Sequence, residues 1–176
     1  MEINDENQYK KQNQFEITIA DLNDLDEVLT LLRSVARWLK QKGSNQWETI
    51  LNGEDDQEMR LAVENKQTYI VKEDKHIIAT FTIYLKASNW DIMLWGRDDS
   101  KSAYLHKLAV IPDKMGKGLG YEIIHWAEQK LRDEGVDRLR LDCVADNNNL
   151  NTFYSGNGFE KVGENHGFTL FEKDLT

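Results

Sequence analysis

The chain has one cysteine, Cys143, and one proline, Pro112, in 176 residues. A single cysteine excludes an internal disulfide. The lone proline marks one enforced break, after "LAVI", and leaves every other segment free of that constraint. No apolar run approaches the roughly 18 residues a spanning helix needs, which excludes a membrane protein of the helical kind. The leading "MEINDENQYKKQNQ" has no apolar stretch and does not read as a secretory signal. Residues 1–14 read instead as a loose polar tail. Basic residues are in the minority, 22 Lys and Arg against 31 Asp and Glu, a formal net charge of −9. That balance argues against nucleic acid as a partner. The absence of a leader and the scarcity of cysteine point to the cytoplasm. With 40% hydrophobic residues and ample length for a core, residues 15–176 read as one domain.

Periodicity divides the chain clearly. "FEITI" is a short β-run. Leu25, Val28, Leu29, Leu32, Ala36 and Leu39 then recur at helical spacing, with Gly43 as a stop. "SNQWETILNGEDD" reads as loop or broken helix and "QEMRLAVEN" as a short helix. "TYIVKED" and "IIATFTIYLK" form a hairpin turning near Asp74 and Lys75. "ASNWDIMLWGRDDSKS" is a long connection, a place where function often sits. "AYLHKLAVI" is a strand, Lys117 to Glu134 a helix with Leu119, Ile123, Ala127 and Leu131 on one face, and "RLRLDCVA" a strand. "NNLNTFYSGN" follows as a helix capped by Asn147 or Asn148, then two closing strands. The expected architecture is α/β: a mixed, largely antiparallel sheet of about 6–7 strands with about four helices. Tyr104 to Ala145 should form a parallel crossover.

Three glycines in "MGKGLG", Gly116, Gly118 and Gly120, sit between a strand and a helix. A helix start offers unpaired N–H groups and partial positive charge, and glycine lets an anion approach them closely. A turn needing positive φ would explain the same residues without a ligand. Two familiar phosphate loops fit poorly. A Walker loop needs Ser or Thr after its lysine, and Lys117 is followed by Gly118. A dinucleotide loop needs a third glycine where Tyr121 stands.

"LAVIPDKMGKGLGYEII" resembles the acyl-CoA signature of the GNAT N-acetyltransferases. Gly118 and Gly120 match its last two small positions, and Met115 takes the place usually held by Arg or Gln. "NNNLNTFYSGNGFEKVG" resembles the family's second signature through Asn147, Leu150, Tyr154, Gly158 and Phe159. The resemblance is specific over Tyr104–Gly163 and rests on element order before that. It implies the acyl-CoA N-acyltransferase fold and direct transfer of acetyl from acetyl-CoA to an amine in a ternary complex.

Residue by residue, the resemblance implies a pyrophosphate site on the backbone of Lys114, Met115, Gly116, Lys117, Gly118, Leu119 and Gly120. Lys114 and Lys117 add charge there or are simply solvated. Pantetheine pairs with main chain at Leu108, Ala109 and Val110 and meets Asn147 and Asn151. Met115 implies weaker cofactor binding, not loss of it. An attacking alkyl amine with pKa near 10 is only about one part in a thousand neutral at pH 7, a handicap of roughly 4 kcal/mol. A general base relieves it. The candidate is His106, which should share a strand face with Leu108 unless a bulge intervenes; "LHKLAV" also resembles the histidine strand of arylalkylamine acetyltransferases. Lys107 reads as surface. Tyr154 matches the family's general acid for the departing thiolate. Cys143 reads as a buried small residue. His76, His125 and His166 show no metal spacing, so no metal is expected.

Trp38, Trp47 and Tyr84 are the candidate acceptor pocket, an aromatic wall for a small-molecule amine. The acidic stretches Glu54–Asp56 and Asp98–Asp99 read as solvated loop. Two alternatives stay open: an acyl-CoA-binding sensor without turnover, and an enzyme acting on a protein N-terminus or lysine. A homodimer through the C-terminal strands is a further expectation.

Overall fold

The computed structural model describes residues 15–176; the expected tail, residues 1–14, lies outside them. Seven strands form one sheet in the order β1-β2-β3-β4-β5-β7-β6. They are β1 (Glu16–Ile19), β2 (Thr68–Glu73), β3 (His76–Tyr84), β4 (Ser102–Val110), β5 (Arg138–Val144), β6 (Glu160–Asn165) and β7 (Phe168–Asp174). The helices are α1 (Leu25–Gln41), α2 (Glu48–Leu51), α3 (Asp56–Glu64), α4 (Asn89–Trp95), α5 (Leu119–Asp133) and α6 (Asn148–Gly156). Six helices replace the expected four. One is the single turn α2 inside the "broken helix" region, and α4 lies inside the supposed loop. No described helix is long and apolar enough to cross a membrane.

The sheet carries a core on each face. Ile123, Ile124, Ala127 and Leu131 of α5 pack with Phe81, Ala103, Leu105, Leu141 and Phe171. On the other face, α1 and α3 bury Val28, Leu32, Val35, Met59 and Val63 against Ile70, Ile77 and Ala109. The buried stripe of α1 takes in Leu31 and Val35, while Leu29 and Leu39 are only partly covered. The helical spacing holds, and the buried face is turned slightly from Leu29 and Leu39 toward Leu31 and Val35. Each such side chain contributes roughly 1.5–3 kcal/mol.

Two irregularities in β4 shape everything that follows. β4 and β5 are parallel, yet pair only at Ser102–Arg138, Ala103–Leu139 and Tyr104–Arg140. Beyond Tyr104, β4 keeps β3 as partner and β5 keeps β7. The pair is a fork, and its open edges carry backbone groups that no neighbouring strand meets. The second irregularity is a bulge. Thr80 pairs with Ala109 and Thr82 with His106, which leaves one extra residue on β4. Lys107 occupies it at φ 52°, a left-handed conformation uncommon outside glycine. Side-chain parity therefore flips: Ala103 and Leu105 face the α5 core, and so do Leu108 and Val110. His106 and Leu108 end on opposite faces, the exception the sequence reading allowed for.

Arg140 locks the closed end of the fork. Its guanidinium donates to Glu172 Oε2 (2.8 Å) and the Tyr104 hydroxyl (3.0 Å), pairs with Asp98 (2.8 Å) and lies 4.6 Å from the Trp95 ring centre. Asp98 is thus an ion-pair partner, not a free loop acid, and the guanidinium holds its carboxyl below the usual range. Arg140→Leu should destabilise the fold by about 3 kcal/mol, the low end of the range for an orphaned buried pair because Asp98 keeps contact with water. Urea unfolding checks this; a midpoint unchanged from wild type would show that the fork closes without the pair.

Candidate active site

At the strand–helix junction, Gly116 and Gly118 have φ of 75° and 84°. A Cβ placed on either would meet nothing within 4 Å. The glycines are therefore required by backbone conformation, and the space over them is open, as close approach by an anion requires. Gly120 has a different reason: a Cβ there would lie 3.0 Å from Phe153 on α6. It lets α6 seat against the start of α5. The turn and fork fit the two anionic and amide-bearing parts of an acyl-CoA: donors for pyrophosphate, and an unpaired strand edge at Leu108–Val110 for the arm.

Side chains around this turn divide differently from expectation. Lys114 donates to Glu73 at 2.9 Å, so its charge is already engaged. Lys117 is exposed. Met115 packs against the α1-side core, which explains an apolar residue in a usually polar place. Asn147 caps α6, its Oδ1 accepting from Leu150 N–H at 3.1 Å. Asn151 turns inward and donates to the carbonyls of Asn147 (2.8 Å) and Val144 (3.2 Å). Leu119 is buried in the α5 core. Of these side chains, only Lys117 is left unengaged at the mouth of the turn; the backbone carries the rest.

Just past the fork, three groups from three elements converge. His106 Nε2 lies 2.9 Å from Asp91 Oδ1. Asp142, on β5, accepts from the Trp90 indole N–H at 3.2 and 3.3 Å. One donor atom from each of Asp91, His106 and Asp142 lies within 4.8 Å of the others. Tyr84 covers the imidazole, with ring centres 5.1 Å apart. Burial pushes the Asp142 carboxyl up against the pull of His106 and the Trp90 N–H. Burial and the nearby Glu58 and Asp91 charges push the Tyr84 phenol up as well.

Asp91 and Asp142 were not among the sequence candidates. Asp91 belongs to α4, and a signal for it existed: Ser88 and Asp91 form a capping box. Ser88 Oγ accepts from Asp91 N–H (3.2 Å), while Asp91 Oδ2 accepts from Ser88 N–H (3.0 Å) and its hydroxyl (2.8 Å). Lys107, read as surface, is only 13% exposed and reaches Glu58 at 3.4 Å; the bulge turns it inward. The aromatic candidates separate. Tyr84 reaches the site, Trp47 packs into the α1-side core, and Trp38 sits beneath the Lys42 ammonium at 5.7 Å.

Tyr154 is buried between Phe153, Phe159 and Phe171. Burial, with Cys143 and Asp142 near it, pushes its phenol up, so it carries its proton at neutral pH. Cys143 is buried, and burial and Asp142 push its thiol up to about 12. Native protein should therefore resist iodoacetamide at pH 8 and become labelled only in urea; labelling without denaturant would contradict that burial.

Sheet order, forked parallel pair and glycine turn together define an acyl-CoA N-acyltransferase fold. The sequence profile of the acetyltransferase (GNAT) family matches residues 30–159. The chain is 38% identical over 159 residues to "Uncharacterized N-acetyltransferase YesJ" of Bacillus subtilis (strain 168), covering 89% of this chain and 88% of that one. It superposes on a GNAT-family acetyltransferase from Listeria monocytogenes 4b F2365 with TM-score 0.79 and 31% identity, covering 91% and 94% of the two chains. The PaiA N-acetyltransferase of Thermoplasma acidophilum shares the fold at TM-score 0.76 and 19% identity, covering 91% and 98%. This chain belongs to the acetyltransferase (GNAT) family.

Proposed function

We propose that the protein transfers acetyl from acetyl-CoA to the amine of a small molecule, by direct attack in a ternary complex. The observation that carries this is the placement of His106 and Asp142 on the two strands just where their pairing ends. A thioester lying in the fork would present its carbonyl carbon there. The Thermoplasma relative was crystallised in complex with coenzyme A, which supports acyl-CoA as the co-substrate. His106 acts as the base for the acceptor, and Tyr154, buried on α6 with Cys143 and Asp142 of β5 near it, gives a proton to the leaving thiolate. Tyr84 supplies the aromatic wall of the acceptor side.

The partly buried Asp142 carboxylate has one N–H donor for its two oxygens. It favours an acceptor that arrives as a cation. Met115 favours a second reading, a CoA-binding sensor, because it withdraws a polar contact from the pyrophosphate. Calorimetric titration with acetyl-CoA, CoA and NADH tests the binding. One-site binding of the CoA compounds alone, followed by thiol release with members of an amine panel, is the expected result. Absence of CoA binding would overturn the reading, and binding with no thiol release across the panel would favour the sensor.

A further inference from the structure

We infer that Asp91 is a positioning residue for acetyl transfer: it fixes His106 as the Nε2–H tautomer, so that the acceptor's proton is taken at Nδ1. The inference rests on His106 being the base. The partner of Nε2 is a carboxylate oxygen, and an ionised carboxylate only accepts. A neutral imidazole bonded to it must carry its proton on Nε2 and its lone pair on Nδ1.

Asp91 is unusually well fixed for this task. It is 1% exposed. Its second oxygen is held by the backbone N–H and hydroxyl of Ser88, and its own N–H binds that hydroxyl in return. The capping box thus does two things at once. It starts a helix of seven residues in the long connection, and it aims one carboxylate oxygen at β4. On β4, ordinary alternation sets His106 opposite Leu105, on the face where α4 lies, and the bulge at Lys107 just beyond it returns Leu108 and Val110 to the α5 side. Asp142 is held differently, by a single indole N–H. Two carboxylates beside one imidazole are separated by what else holds them: Asp91 is spent on the ring, and Asp142 is left for the acceptor.

The steps balance. The acceptor ammonium gives one proton to Nδ1, forming an imidazolium that Asp91 stabilises through Nε2–H. The free amine attacks the thioester carbon, the C–N bond forms and the C–S bond breaks. Tyr154 gives its proton to the departing CoA thiolate and recovers the amine's second proton, and the proton on Nδ1 leaves to solvent.

The test is ¹⁵N-histidine spectroscopy of the whole protein near pH 8, with EDTA present because three donor atoms this close could also bridge a divalent ion. His106 is assigned by its loss in His106→Gln. A pyrrole-like Nε2 and a pyridine-like Nδ1 are expected. Asp91→Asn should shift the proton toward Nδ1 and lower kcat by about 10²–10⁴, as replacing the carboxylate partner of a catalytic histidine does, with CoA binding kept. Ser88→Ala loosens the carboxylate without removing it; it should keep the tautomer and lower kcat less than Asp91→Asn does. An Nδ1–H wild-type ring, or Asp91→Asn with unchanged tautomer and kcat, would overturn the inference. The tautomer is read without turnover, so this outcome is separate from failure of the acetyltransfer reading.

Discussion

His106→Gln is expected to lower kcat at pH 7 by about 10²–10⁴, the usual contribution of a positioned base, while calorimetric CoA binding stays within about twofold. Glutamine keeps an N–H donor for Asp91, so the α4 contact survives and the loss reports proton transfer. The pH profile separates this from a packing defect. An alkyl amine frees about tenfold more base for each pH unit below its pKa near 10. The variant, lacking a base, should gain rate across that whole range and approach wild type at high pH. The charges facing the ring are Asp91 from α4 and Asp142 from β5; Tyr84 covers it from β3, and the neighbouring Lys107 is paired with Glu58. None of these is removed by the substitution. A variant with wild-type kcat at neutral pH would remove His106 from the chemistry.

The local part of the site was legible in the sequence because its causes are local. A strand, a proline, glycines at Gly116 and Gly118 and a periodic helix are read within about twenty residues, and both glycines proved to need positive φ. Asn147 as a cap follows the same logic. What was not legible depends on contacts between distant segments. Asp91, His106 and Asp142 meet only because the sheet sets β4 beside β5 and α4 folds over both. The bulge left no glycine to mark it, since Lys107 itself adopts the left-handed conformation. Ser88 and Asp91 did carry a capping signal, hidden by reading the tryptophan-rich segment as loop. The Trp47 side chain looked available for a ligand and packs instead against the core under α1. Composition cannot distinguish an aromatic that lines a pocket from one that fills a layer.

Tyr154→Phe should cut kcat by about 10² or more, the low side of general acid catalysis, and leave CoA affinity nearly unchanged. Two facts set this expectation. The phenol sits among three phenylalanines and its hydroxyl makes no hydrogen bond to another described residue, so losing it should cost the fold little. Burial also pushes the phenol up, which keeps the proton in place but makes it harder to give. On the proposed mechanism, donation becomes favourable as the C–S bond breaks and the thiolate develops charge beside the phenol. A rate unchanged in Tyr154→Phe would mean that the thiolate leaves unprotonated or takes its proton from solvent. A sensor without turnover would show no thiol release in wild type or variant, with the same CoA isotherm for both. An enzyme with this acid would show matched isotherms and widely separated rates.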